Sequence, residues 1–156
     1  MIDKNKLFNA VDRCRDDIIT LGDRLFYCPE LGFKEFKTAE IIKEYLDSVG
    51  IPYESEIGIT GIKATLGEGT GYHIAFVCDM DALPGRSFTG QIHSCGHSIQ
   101  TAVALSAAKI LAETGLLDNT DVRVSFIFSP AEEFIDFEYR DKLIDNGKIL
   151  YRSGKQ

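Results

Sequence analysis

Val122-Arg123-Val124-Ser125-Phe126-Ile127-Phe128 is a run of strand formers with almost no polar interruption. Such a run suits a strand covered by other elements on both faces. Upstream of it, Ile99 to Glu113 is Ala-rich, and a helix of that composition can lie close against a sheet. Before the helix, His73–Cys78 reads as another strand, ending in Cys78-Asp79-Met80-Asp81. Strand, helix and strand in this order form a βαβ unit, whose crossover is expected to be right-handed. The expected class is α/β, a three-layer sandwich around a largely parallel sheet.

The rest of the chain fits around that unit. Leu7, Val11, Cys14, Ile18, Leu21 and Leu25 recur at steps of three and four, which makes one apolar helix face from Asp3 to about Tyr27, with Pro29 near its end. A second helix is expected from about Phe36 to Val49, with Ala39, Ile42 and Leu46 inward, Gly50 as its cap and Pro52 beyond. Ile51–Ile57 and Ile62–Leu66 read as short strands broken by Gly58 and Gly61, and residues 67–71 as a turn. No repeat, low-complexity tract or linker divides the chain, so residues 1–156 form one domain.

Composition excludes several functions. Hydrophobic residues make up 44% and charged residues 26%, as in ordinary globular proteins. A formal charge of −7 is wrong for a nucleic-acid surface. No apolar run approaches the ~18 residues that span a membrane, and the first residues lack a signal-peptide core. The four cysteines (Cys14, Cys28, Cys78, Cys95) show no paired spacing, which points to reduced thiols and a cytoplasmic location.

In open α/β sheets, ligands bind beyond the carboxyl ends of the strands. Asp79 and Asp81 follow one strand, and Glu132 and Glu133 follow the other in Ser129-Pro130-Ala131-Glu132-Glu133. Cys95 and His97 lie in His93-Ser94-Cys95-Gly96-His97, at the start of the connecting helix. One crossover therefore brings all six to one edge. Cys-x-His offers two ligands to a divalent metal from one short turn, with Gly96 letting the backbone bend between them. Glu133 adds a carboxylate, Glu132 is then free to act as general base, and Asp79 could bridge to a ligand or orient the site. Taken singly, these signals are more often structural: an incidental triplet, a solvated helix start, turn aspartates. His73, Cys14 and Cys28 read as structural. What favours a site is that three weak signals fall at adjacent positions on one sheet edge.

A family resemblance follows from the same residues. Ala75-Phe76-Val77-Cys78-Asp79-Met80-Asp81-Ala82-Leu83-Pro84, then the His93–His97 segment, then Phe126 through Glu133 resemble the aminoacylase and hippurate hydrolase family. Pro29-Glu30-Leu31-Gly32-Phe33 with Glu35 extends the likeness, which runs from about Leu25 to Gly147. These are metal-dependent amidohydrolases and carboxypeptidases that cleave N-acyl or N-aroyl amino acids and short peptides. The resemblance implies that Cys95 bridges two divalent ions (zinc, manganese or cobalt), that His97 and Glu133 each hold one, and that Glu132 is the general base. Asp79 would orient His97 or the base. A smaller lid domain, through which such enzymes dimerise, makes a homo-oligomer possible. Two departures stand out. Ser98 and Gln100 replace the Asp and His of the usual Cys-Gly-His-Asp-x-His-Thr. Val77 stands where relatives outside the hippurate hydrolase branch carry a ligand histidine.

No histidine follows His97. The expectation is therefore the N-terminal part of a di-metal catalytic domain, without the lid or the C-terminal return segment. Such a chain would hold metal weakly or substoichiometrically and would not hydrolyse substrate by itself. The rival is a non-catalytic α/β remnant or interaction module with a vestigial metal site. A thiol redox protein built on Cys95 ranks last, because no resolving cysteine lies nearby.

Overall fold

The N-terminal apolar stripe folds as two helices, where the spacing predicts one. The computed structural model describes residues 4–86 and 90–155, so the expected first helical residue, Asp3, lies outside the described residues. Helix α1 spans Lys4–Arg13 and α2 spans Arg15–Phe26. At the junction, the Cys14 N–H is shared between Ala10 O and Val11 O, both at 3.1 Å, a local tightening of the turn. Ala10 and Cys14 pack on Ile110, while Leu21 and Leu25 enter the main core. Helix α3, Phe36–Ser48, ends as its sequence predicts. Gly50 N–H donates to Asp47 O and Ile51 N–H to Leu46 O, which satisfies the last carbonyls of the helix.

Six strands follow in the order β1 Tyr53–Ile57, β2 Gly61–Leu66, β3 Tyr72–Asp79, β4 Leu83–Pro84, β5 Gln91–Ile92 and β6 Val122–Ser129. Helix α4, His97–Thr114, connects β5 to β6, and α5, Phe137–Asp145, comes last. The large sheet has the order β1-β2-β6-β3, and β4 pairs with β5 as a separate ribbon. The α/β class and the β3–α4–β6 unit stand, but the largely parallel sheet does not. Among the described residues only β3 and β6 run parallel; β1 with β2, β2 with β6 and β4 with β5 are antiparallel. The cause is local: residues 58–60 are too few for a crossover, so β1 and β2 can only form a hairpin.

The inward side chains of the sheet, Ile62, Ala64, Val124, Phe126, Phe128 and Cys78, meet Leu25, Ile42, Leu46 and Leu105 from α2, α3 and α4 in one core. The opposite face carries a polar cluster in place of a third layer. Ser125 Oγ lies 2.8 Å from Thr65 Oγ1 and 2.7 Å from His73 Nε2. Among the described residues the sheet is thus covered by helices on one face, and the expected three layers reduce to two. A separate small cluster of Phe33, Ala131 and Ile149 joins α5 and the segment after it to the end of the sheet.

Candidate metal centre

Strands β3 and β6 pair in full register, from Tyr72 opposite Val122 to Asp79 opposite Ser129, so both chains leave the sheet at one edge. Met80 N–H still donates to Ser129 O at 3.0 Å, and the chains diverge only beyond that bond. Helix α4 starts at the same edge, tied by Thr101 Oγ1, which donates to Asp79 O at 3.0 Å. Gly96 takes φ +88°, a left-handed conformation that costs other residues roughly 1–2 kcal/mol. That bend turns Cys95 and His97 toward one point, as the sequence predicts.

All five expected site residues converge. Cys95, His97 and Glu133 offer ligand atoms within 4.8 Å of one another, and Asp79, His97 and Glu132 do likewise. His97 Nε2 lies 3.8 Å from Glu132 Oε2 and 3.9 Å from Asp79 Oδ2. Its Nδ1 is 2.9 Å from the Asp81 carbonyl oxygen. A carbonyl can only accept, so Nδ1 carries the proton and Nε2 keeps its lone pair for the centre.

Asp81 was placed on this edge by the sequence but given no role. It has no solvent exposure, and its Oδ1 lies 3.2 Å from His97 Nδ1 while its Oδ2 accepts the Glu133 N–H at 2.9 Å. Asp81 lies closer to His97 than Asp79 does, at 3.2 Å against 3.9 Å. Burial pulls the His97 pKa down, but the hydrogen bonds and charge of Asp81, with Asp79, outweigh it and leave the imidazole above its ordinary value. Burial raises the Cys95 thiol, and Glu133 adds to the shift against the lowering contact with the His97 backbone. The Glu133 carboxyl is also raised, first by burial and then by Glu132 beside it. A crowded acidic cluster of this kind favours a bound cation.

Two further charged residues fix the turn that carries the glutamates, and sequence reasoning gave neither a role. Ala131 sits at φ +52°, a strained conformation of the kind that clusters at functional sites. Glu35 Oε1 accepts the Ala131 N–H at 2.8 Å, and Glu35 Oε2 accepts from Thr60 Oγ1 at 2.7 Å. From the other side, buried Arg140 donates to Ala131 O at 3.3 Å and also to Glu133 O. Glu35 had a faint signal, a lone carboxylate between Phe33 and Phe36. Arg140, within a charged helix, had none. A third missed group is Lys155, whose Nζ lies 2.8 Å from both carboxylate oxygens of Asp79 and 3.8 Å from Glu132 Oε1.

Comparison with known proteins gives this geometry a family. The sequence pattern of peptidase family M20/M25/M40 matches residues 75–143, the stretch from β3 into α5 that holds Asp79, Cys95, His97, Glu132 and Glu133. The chain belongs to that family. It is 35% identical to the N-acyl-L-amino acid amidohydrolase of Geobacillus stearothermophilus over 140 residues, covering 83% of the chain and 37% of that protein. It is 33% identical to IAA-amino acid hydrolase ILR1-like 5 of Arabidopsis thaliana, covering 76% of the chain and 29% of that protein. The YXEP protein of Bacillus subtilis, a dinuclear metal-binding peptidase of family M20, superposes with a TM-score of 0.66 at 28% identity, over 94% of the chain and 40% of that structure. The chain thus spans 29% to 40% of the length of these M20 relatives.

The donor set fits the divalent ions of an M20 peptidase. A thiol, an imidazole with its free nitrogen facing the donors, and a carboxylate make three ligands for one ion, with water as the fourth. A second ion would be left with carboxylates alone.

Proposed function

We propose that this chain forms the N-terminal part of the catalytic domain of a metal-dependent amidohydrolase. The substrate class is N-acyl or N-aroyl amino acids, or short peptides. The observation that carries the reading is the convergence of Cys95, His97 and Glu133 on one point, beside a second glutamate. A divalent ion (zinc, manganese or cobalt) held there supplies Lewis acidity toward the amide carbonyl and the attacking water.

The chain's own residues divide the remaining work. Glu132 takes the proton from the attacking water and returns it to the leaving amine. Asp81 keeps the His97 proton on Nδ1, and Glu35 and Arg140 hold the backbone that presents Glu132 and Glu133. Three donors with a single imidazole among them support weak binding of about one ion by this chain. An oxyanion donor contributes on the order of a hundred- to a thousandfold, and Lys155 Nζ, the cation at this centre, is held by Asp79. Hydrolysis by this chain alone is therefore expected at background. The four free cysteines support a reducing, cytoplasmic setting. Among the described residues no helix is long and apolar enough to cross a membrane. Association with a second copy is part of the same reading.

Two measurements test this. Zinc titration of the chain should show about one weakly held ion, lost in Cys95→Ala, and zinc binding unaffected by that change sinks the metal centre. Release of free amino acid from N-acetyl and N-benzoyl substrates should stay at background with zinc, manganese or cobalt. Turnover that disappears in Glu132→Ala would instead show that these residues suffice for catalysis.

A further inference from the structure

Lys155 reaches the centre on a built support. Ile149 anchors the segment after α5 among Phe33 and Ala131. Arg152 forms a two-point ion pair with Asp141, at 2.6 and 2.9 Å, and its carbonyl accepts from Arg140 Nη1 at 2.5 Å. Ser153 is buried, and its Oγ accepts the Lys155 N–H at 3.3 Å. Gly154 passes so close to Pro130 that a Cβ there would collide with the Pro130 carbonyl. The last step of this strap delivers the ammonium to Asp79, which is only 6% exposed.

The charges explain why an ammonium fits there. Asp79 and Glu132 face one another across His97, and a buried carboxylate is costly without a counter-charge. Lys155 Nζ spans both oxygens of Asp79 and approaches Glu132. A divalent ion on that side of His97 would need the same oxygens.

We propose that Lys155 is a built-in counter-ion for the Asp79–Glu132 pair, occupying the position of a second divalent ion and holding the centre to a single ion. The inference rests on the metal-centre reading above and adds to it a regulatory element: a strap whose ammonium and a second cation exclude one another. Because such exclusion is reciprocal, saturating divalent ion should also loosen the strap.

The test is zinc titration of the 156-residue chain by calorimetry, checked by elemental analysis after desalting, on four forms. The unaltered chain should bind one ion. Lys155→Met should bind a second, with affinity at least about tenfold above any second event in the unaltered chain, since one unit of competing charge is gone. Lys155→Arg keeps the cation and should behave as the unaltered chain. Adding Asp79→Asn to Lys155→Met should abolish the gain, which ties it to that carboxylate. Lys155 is partly exposed, so these changes leave the core intact. One ion in both the unaltered and Lys155→Met chains overturns the counter-ion while sparing the metal centre. Two ions in the unaltered chain also overturn it. No ion in any form overturns both readings.

Discussion

Glu35 has no solvent exposure, and burial lifts its carboxyl to about 7, against the lowering hydrogen bonds from Thr60 and the Ala131 backbone. The ordinary value is 4.5, so between the two values the folded state keeps a proton that the unfolded chain has released. Its contribution is therefore full below about pH 4.5, declines as pH rises toward 7, and stays lost above, by up to about 3 kcal/mol. Glu35→Gln keeps an acceptor for the Ala131 N–H and removes the titration. Its melting temperature should change less between pH 5 and 8 than that of the unaltered chain; an equal slope would show that Glu35 does not titrate as described. Arg140 gives the complementary expectation. Arg140→Met removes the donors that hold Ala131 O and Glu133 O and leaves Glu35 and Asp81 without their buried counter-charge. Breaking a buried ionic network by removing one partner costs about 3–5 kcal/mol, so urea unfolding should shift by that order. At this scale, the convergence of Cys95, His97, Glu132 and Glu133 was legible because few residue types offer metal ligands or a base, and the βαβ order puts them at one edge. Asp81, Arg140 and Lys155 were not, since a side chain acting through a backbone carbonyl or an ion pair across the fold has no local pattern.

Helix α4 is the element on which the others depend, because it packs on α1, α2, α3 and the sheet together. Ten of its 18 residues are buried, and two of its buried hydroxyls bond within the helix: Ser106 Oγ donates to Ala102 O at 2.7 Å and Thr114 Oγ1 to Ile110 O at 2.6 Å. Ala108 is fully buried within the main core. Ala108→Leu should destabilise by about 1–3 kcal/mol and Leu105→Ala by about 2–5 kcal/mol in chemical denaturation. A neutral Ala108→Leu would mean that the core around this residue is less tightly packed than its burial indicates. The sequence marked this helix, the caps and most strands to within two residues. Strand order escaped it because β2 and β3 are neighbours in sequence but not in the sheet. The division between α1 and α2 escaped it too, since an apolar stripe continues unchanged through one tightened turn.

Across the whole molecule, the most exposed feature of the sheet is β3. Among the described residues it pairs only with β6, and Tyr72 is 77% exposed, Phe76 50% and Val77 52%. A long, flat, apolar strand edge of this kind is a template for another strand. Concentrated solutions of the chain should therefore self-associate despite the net charge of −7. Phe76→Lys or Val77→Lys should reduce that association, measured by light scattering or sedimentation. Undiminished association in both variants would place the contact elsewhere.

The strand order also sets a timetable for a chain made from its N-terminus. The strand between β2 and β3 is β6, the last of these six to be synthesised. Until Ser129 has left the ribosomal exit tunnel, the β1–β2 hairpin and β3 have no shared partner, and the apolar faces of α2, α3 and α4 lack a sheet to cover. At about 5–20 residues per second, these pieces wait several seconds after β3 appears. A nascent chain held on the ribosome with β6 still inside the tunnel should be open to protease throughout. Releasing a few dozen more residues should protect it in one step.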